Sequence, residues 1–317
     1  MAVNSDKPHI WKEDIARSVD LYNKWFLRFA PQTYRKERVK ATKRVEVMLR
    51  HTDYLRRFTP EELRNDPSIL FALRMSTAPP IARDRLVGLA NVPKSLVNDM
   101  ELKARISPHM KKETVEANLG KIAKMIITLV DVDIFTWLAD KNTPRKQDIY
   151  RAATIVADRL CGANADPIIR NAQEQRQLAK IKVWLEDQGY TDMTGKVSLG
   201  DMKPGTFAFR LIVAGLKEDQ KRVNIPVDVA VLPTQAKPGE LPLMIEAKSA
   251  GDFTNTNKRR KEEAAKIGQL RRKCGPKIRY ILFLCGYFDS GYLGYEAAEG
   301  IDWVWEHRID DLRQFGL

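Results

Sequence analysis

The spacing of apolar residues changes midway along the 317-residue chain. Up to about residue 165, apolar positions recur at intervals close to 3.6 residues, which predicts helices. In the first of these stretches the positions are Trp11, Ile15, Tyr22, Phe26 and Phe29. Helices are also predicted over 149–160 and 168–188. Beyond them, short β-rich runs alternate with turn residues. The sequence thus predicts a helical region over 1–165 and a second domain over 166–317.

Strands dominate the prediction for the second domain. They are expected at 206–214, 223–232, 241–249 and 278–288. A strongly charged stretch over 258–273 has a helical pattern and lies between the third and fourth strands. The order helix, strand, strand, strand, helix, strand predicts a mixed central sheet flanked by helices. The expected fold class is therefore α+β or α/β, with an all-helical N-terminal region before the sheet.

The charge balance points to a polyanionic partner. The chain has 54 Lys and Arg against 41 Asp and Glu, a net charge of +13. Its most apolar long segment, 122–138, contains Asp131 and Asp133 and is too polar to span a membrane. Residues 1–10 lack the apolar core of a signal peptide, and the three cysteines have no metal-like spacing. We therefore expect a cytoplasmic protein that binds nucleic acid and not a membrane.

Two of the predicted strands carry charged residues within apolar runs. The run "LPLMIEAKS" contains Glu246 and Lys248, and the run "IPVDVAVL" contains Asp228. Side chains two apart in a strand share one face, roughly 6.5–7 Å apart along the chain. If the two strands are neighbours, all three charged groups converge on one side of the sheet. The alternative is a pair of edge strands with solvated charges and an ordinary salt bridge.

Converging carboxylates favour a metal site. They repel each other, and a divalent cation relieves that repulsion; Mg²⁺ takes one or two carboxylates together with water and phosphate. The arrangement predicts Mg²⁺ held by Asp228 and Glu246, with Lys248 beside the attacking water and the scissile phosphate. Asp228 followed by Glu246-Ala247-Lys248 matches the PD-(D/E)XK nuclease signature, although Pro226-Val227-Asp228 replaces the strict Pro-Asp. We expect these three residues to be catalytic.

The charged stretch after this motif is a candidate DNA-binding segment. Residues 254–279 contain ten Lys or Arg against two Glu. The candidate contacts are Asn255, Asn257, Lys258, Arg259, Arg260 and Lys261, the asparagines for bases and the basic residues for phosphates. The alternative is a solvated helix face. Glu174 and Gln269 are further candidates on flanking helices, although exposed helical residues of these types are usually unrelated to a site.

Two other classes of enzyme are disfavoured by missing motifs. No GxxxxGK(S/T) phosphate loop occurs, so no nucleotide cofactor is expected. The four histidines are scattered and form no cluster with zinc-like or HNH-like spacing.

Several long stretches resemble one enzyme family. They include "TAPPIARDRL", "IEAKSAGDFTNTNKRRKEEAAKIGQLRR" and "LFLCGYFDSGYLGYEAAEGIDWVWEHRIDDL", with further likeness over 6–31 and 157–178. Together they resemble the XamI family of type II restriction endonucleases over nearly the whole chain. The resemblance implies Mg²⁺-dependent cleavage of double-stranded DNA at a short palindrome, GTCGAC for the name-giving member. It also implies a restriction-modification system with a paired DNA methyltransferase.

A palindromic target favours a two-fold homodimer, and we expect 1–165 to serve DNA binding or dimerisation. Two alternatives remain at this stage. One is a repair or recombination nuclease of the same fold, and the other is an inactive DNA-binding module that keeps the charge triad for structural reasons.

Overall fold

The computed structural model describes residues 2–140, 143–216, 222–254 and 256–317. Its α-helices are α1 (Pro8–His51), α2 (Pro60–Asn65), α3 (Leu70–Met75), α4 (Arg83–Ala90), α5 (Lys94–Lys103), α6 (Lys112–Leu129), α7 (Trp137–Asp140), α8 (Lys146–Asp187), α9 (Thr256–Cys274) and α10 (Ser290–Ala298). Its strands are β1 (Thr191–Asp192), β2 (Thr206–Leu216), β3 (Arg222–Leu232), β4 (Leu243–Ala250), β5 (Arg279–Gly286) and β6 (Asp302–Trp305).

The chain divides into two compact units. One unit is Ala30–Ile169, and the other combines Met1–Phe29 with Arg170–Leu317. Both divisions fall inside long helices, α1 and α8. The first 29 residues, which the sequence analysis placed in the helical region, therefore belong to the unit that contains the sheet.

The unit Ala30–Ile169 is helical and has its own apolar core. The middle of α1, the helix α6 and the first half of α8 supply many of its buried residues. Thr59 caps α2, and Glu62 completes the capping box that the sequence "TPEE" predicts. A buried ion pair joins Arg74 to Glu101 within this unit.

The described strands form one mixed sheet in the order β1-β2-β3-β4-β5-β6. The pairs β2–β3 and β3–β4 are antiparallel, whereas β1–β2, β4–β5 and β5–β6 are parallel. Consecutive strands are neighbours throughout, so β3 and β4, which carry the charged residues of the sequence motif, lie side by side.

Helices cover both faces of this sheet. The second half of α8 packs Leu178, Ile181 and Trp184 against one face. On the opposite face, α9 contributes Ile267 and Leu270, α10 contributes Tyr292 and Leu293, and α1 contributes Trp11. Burying apolar side chains on both faces explains the nearly continuous apolar runs of β4 and β5.

The N-terminal residues join this unit through specific polar contacts. The Asn4 side chain donates to the Trp303 carbonyl at 2.8 Å, and the Trp11 indole donates to the Asn4 carbonyl at 2.9 Å. Asp14 is buried and pairs with Arg308 at 2.8 Å. A buried carboxylate needs such a charged partner. Together, these contacts attach the N-terminal residues to β6 and to the segment that follows it.

The pairing of β2 with β3 is interrupted at one position, and the side chains of β3 on either side of it point to opposite faces of the sheet. Phe209 pairs with Val229 and Leu211 with Val227, but Arg210 and Asp228 between them make no ladder pair. Val229 packs on the α8 side of the sheet and Val227 on the α9 side. Arg210 has a φ of 51°, in the left-handed region that non-glycine residues seldom adopt. Asp228 therefore lies where the ribbon twists sharply.

The expected fold class is confirmed at the level of α+β: a helical N-terminal region precedes a mixed sheet flanked by helices. One helix prediction was wrong, because α8 continues unbroken through 161–167, with Pro167 inside it. Cys161 and Ala165 are fully buried there, so packing outweighs the local preference for a break. None of the helices in the described part of the chain has the length and hydropathy required to cross a bilayer.

Candidate active site

Asp228 lies at a one-residue interruption of the β2–β3 ladder and directly beyond the end of the β3–β4 ladder. The β3–β4 ladder joins Val229–Val231 to Leu243–Ile245, so Asp228 and Glu246 come directly after its last pair. In place of a ladder hydrogen bond, the Asp228 Oδ2 atom accepts from the backbone N–H of Ala247 at 2.9 Å. The carboxylate thus holds the two strands together at the point where their backbones separate.

Glu246 and Lys248 share the face of β4 that α9 covers. Met244 lies in the core on that side and Ile245 in the core on the α8 side, so alternation places residues 246 and 248 with Met244. Glu246 is buried, with 6% of its surface exposed. The Lys248 Nζ atom lies 3.2 Å from Glu246 Oε1. The structure therefore brings together the three residues of the sequence motif.

Two charged residues of α9 complete the cluster, and the sequence analysis did not identify either. Lys266 forms an ion pair with Glu246 Oε2, so both oxygens of Glu246 face an ammonium group. Glu263 is 1% exposed and its Oε1 atom lies 3.5 Å from Lys248 Nζ. The sequence did contain an indication for Glu263. It lies one and two helical turns before the buried Ile267 and Leu270, and therefore on the same face of α9.

A glutamine of α8 fixes the backbone of the same strand. Gln177 is 1% exposed, and its amide nitrogen donates to the carbonyls of Lys248 at 3.2 Å and Phe283 at 3.1 Å. It therefore bridges β4 and β5 behind the cluster. Glu174, one turn earlier on α8, forms an exposed ion pair with Arg210 at 3.0 Å. Gln269 is half-buried on α9.

The candidate DNA contacts are described only in part. The Arg260 guanidinium lies 3.8 Å from the centroid of the Tyr295 ring, and Lys261 is exposed. Asn255 lies outside the described residues, as do the side chains of Asn257, Lys258 and Arg259.

The donor set suits a hard divalent cation. In the described part of the chain, no group of three or more His, Cys, Asp or Glu residues has metal-binding geometry. Asp228 and Glu246 offer two carboxylates beside each other, and Mg²⁺ usually takes one or two carboxylates and completes its shell with water and phosphate. These two residues therefore fit Mg²⁺ better than a closed, protein-only site such as structural zinc.

Comparison with known proteins decides the family. The model of the XamI restriction endonuclease family matches residues 53–305. The chain is also 53% identical to the type II restriction enzyme SalI of Streptomyces albus G over 319 residues, covering 99% of each protein. This chain belongs to the XamI restriction endonuclease family. It is accordingly an enzyme, a type II site-specific deoxyribonuclease.

A solved structure was also compared with the chain. The protein VC1899 from Vibrio cholerae matches 87% of this chain and 55% of its own, at 11% identity and a TM-score of 0.29. A similarity at that level carries no information about this fold.

Burial and neighbouring charges shift the pKa values of Asp228 and Lys248 in this restriction endonuclease. Burial, then the neighbouring Glu246, raises the pKa of Asp228 from 3.8 to about 6. Burial alone would lower the pKa of Lys248, but the carboxylates of Glu246 and Glu263 outweigh it and the pKa is raised above 10.5. Lys248 is therefore an ammonium at neutral pH, whereas Asp228 is charged there at a cost in stability.

This cost predicts that Asp228→Asn stabilises the enzyme in buffer with EDTA. Because the pKa of Asp228 is higher in the folded protein, the stability gained from protonating it is full below about pH 4 and lost as pH rises through 6. Asparagine is neutral at every pH. At pH 8 the variant should therefore gain on the order of 2 kcal/mol in the free energy of unfolding, and about half as much at pH 5.

Urea unfolding at pH 5 and pH 8 measures the effect. Asp20→Asn, at an exposed position of α1, is the matched control and should change neither value. An Asp228→Asn protein that is less stable than wild type at pH 8 would contradict the repulsion between the two carboxylates.

Proposed function

We propose that this restriction endonuclease hydrolyses phosphodiester bonds of double-stranded DNA with Mg²⁺, using a PD-(D/E)XK core. The convergence of Asp228, Glu246 and Lys248 on one side of the sheet supports this most strongly. Phosphodiester hydrolysis needs a water placed in line with the leaving oxygen, and positive charge where the phosphate becomes more negative. Two neighbouring carboxylates and a lysine would provide for both.

Asp228 and Glu246 are the residues that would hold Mg²⁺. When bound, the ion supplies a Lewis acid for the phosphate and lowers the pKa of a coordinated water. Asp228 is anchored by the Ala247 N–H, and Glu246 is fixed on a strand paired along its whole length with β5. Both carboxylates are thus held by the sheet, which keeps their positions constant as DNA enters.

Lys248 acts on the reacting groups as an ammonium. Its raised pKa makes it a poor proton acceptor at neutral pH. Its role is therefore to orient the attacking water by hydrogen bonding and to balance charge on the phosphate. About a quarter of its side chain is exposed, compared with 7% for Glu246, so it is the member of the pair that reaches solvent and substrate.

The DNA is expected to run along the start of α9. Lys258, Arg259, Arg260 and Lys261 follow the active-site strand by about ten residues, and phosphate contacts from them would set the register of the duplex. Asn255 and Asn257 precede them and are proposed to contact bases. Residues 1–165 are proposed to add DNA-binding or dimer contacts, since cutting both strands of a palindrome favours a two-fold homodimer.

The central test of this mechanism uses three near-isosteric variants, Asp228→Asn, Glu246→Gln and Lys248→Met. Each should lower the rate of plasmid cleavage in Mg²⁺ at least about 100-fold, because each removes a group that acts on the reacting atoms. Each should still bind target DNA in Ca²⁺, because the contacts to DNA elsewhere on the protein are unchanged; Ca²⁺ is used because it does not support the reaction geometry.

Gel-shift titration in Ca²⁺ and plasmid cleavage in Mg²⁺ measure the two properties. Glu186→Gln, an exposed change on α8, is the control and should behave as wild type. Cleavage that persists in all three variants, or that is undiminished in EDTA, would rule out the proposed mechanism.

The target is proposed to be the palindrome GTCGAC, with a paired methyltransferase protecting host DNA. Run-off sequencing of digested plasmids should show every break within that sequence, at symmetrical positions on the two strands. Breaks at another short palindrome would reject GTCGAC but keep the restriction activity. Breaks without a common sequence would reject site-specific cleavage.

A further inference from the structure

Glu263 is a buried carboxylate that pairs with the proposed catalytic lysine. It is 1% exposed on α9, and its Oε1 atom lies 3.5 Å from Lys248 Nζ. Its Oε2 atom accepts a hydrogen bond from the Tyr292 hydroxyl at 3.1 Å. An ionised carboxylate at this depth is costly without a cation beside it. Lys248 supplies that cation.

Lys248 lies between two carboxylates that differ in their proposed tasks. Glu246, 3.2 Å away, would bind Mg²⁺, so its charge would be shared with a dication. A lysine paired only with Glu246 would then be repelled by the ion it stands beside. Glu263 comes from a different element, α9, and would not share its charge with the metal.

From this geometry we propose that Glu263 is a positioning residue, which holds the Lys248 ammonium at the active site when Glu246 binds the metal. The proposal rests on the proposed function, because it requires Lys248 to act on the reacting groups. It assigns to α9 a second task besides DNA contact: its buried face anchors the lysine of β4.

Two residues of α10 support Glu263 from behind. Tyr292 is buried, and its hydroxyl fixes one oxygen of Glu263, which leaves the other for Lys248. Glu296 is fully buried near Tyr292, and burial, then the charge of Glu263, raises its pKa to about 8. Glu296 is thus mostly neutral at pH 7. Burial also raises the pKa of Glu263, but the Lys248 ammonium and the Tyr292 hydroxyl counteract that rise, so Lys248 favours the charged form of Glu263.

A positioning role differs from a purely structural one in what it changes. A structural Glu263 would stabilise the fold, and its loss would reduce the amount of active enzyme without changing the rate per folded molecule. A positioning Glu263 affects the chemical step. Its loss would leave DNA binding intact and lower kcat, because Lys248 would no longer be held over the reacting atoms.

The experiment compares Glu263→Gln, Glu263→Asp and Tyr292→Phe with Glu299→Gln, the same change at an exposed position directly after α10. Active sites are titrated by DNA binding in Ca²⁺, and kcat and KM are then measured in Mg²⁺. We expect Glu263→Gln to lower kcat about 10- to 100-fold, the usual loss for a supporting partner, with KM within about twofold. Glu263→Asp should recover part of kcat, and Tyr292→Phe should lie between Glu263→Gln and wild type.

The variant Lys248→Met distinguishes this proposal from the proposed function on which it rests. If Lys248→Met is inactive while Glu263→Gln and Tyr292→Phe keep wild-type kcat per binding site, the positioning role is overturned and the catalytic role of Lys248 stands. If Lys248→Met cleaves normally, both fail. Should Glu263→Gln not fold, the kcat of Tyr292→Phe decides: a fall at unchanged KM supports the role, and a wild-type value overturns it.

Discussion

The repulsion between Asp228 and Glu246 is the constraint around which the rest of this candidate active site is arranged. Two carboxylates lie next to each other where the apolar ladder of β3 and β4 ends. Burial disfavours the charged form of Asp228, and the negative charge of Glu246 adds to this effect, so the pKa of Asp228 rises to about 6. Lys248 and Lys266 reduce the repulsion from one side, through Glu246. A divalent cation would remove it directly.

Charge around the site is therefore balanced by groups that come from different elements. Strands β3 and β4 carry the carboxylates, and α9 carries Lys266 and Glu263 on the side that faces them. Binding of a metal and a phosphate would add charges of opposite sign to this cluster. The lysines and Glu263 can then exchange partners without leaving a buried charge alone, which is how an apolar sheet can contain so many ionised groups.

The sequence predicted the part of this site that depends on local pattern. Asp228, Glu246 and Lys248 could be found because charged residues interrupt two β-rich runs, and strand alternation puts the last two on one face. Glu263 and Lys266 were missed because their importance depends on which face of α9 docks on the sheet. The basic composition of that helix favoured DNA contacts by Lys258–Lys261 at its start, or a solvated face, and neither reading pointed to the sheet. Gln177 was missed for a similar reason, since its carbonyl acceptors lie about 70 and 106 residues away.

Pro167 misled the helix prediction because a proline normally ends a helix. Only the buried core of the unit Ala30–Ile169 shows why α8 continues past it.

A crystal structure of the enzyme with target DNA and Ca²⁺ tests the central claim most directly. We expect Ca²⁺ bound by Asp228 and Glu246 at about 2.3–2.6 Å, together with an oxygen of the scissile phosphate. We also expect that Lys266 has left Glu246 and that Lys248 remains beside Glu263. Ca²⁺ bound elsewhere, with Glu246 still paired to both lysines and the DNA backbone away from Asp228, would contradict it.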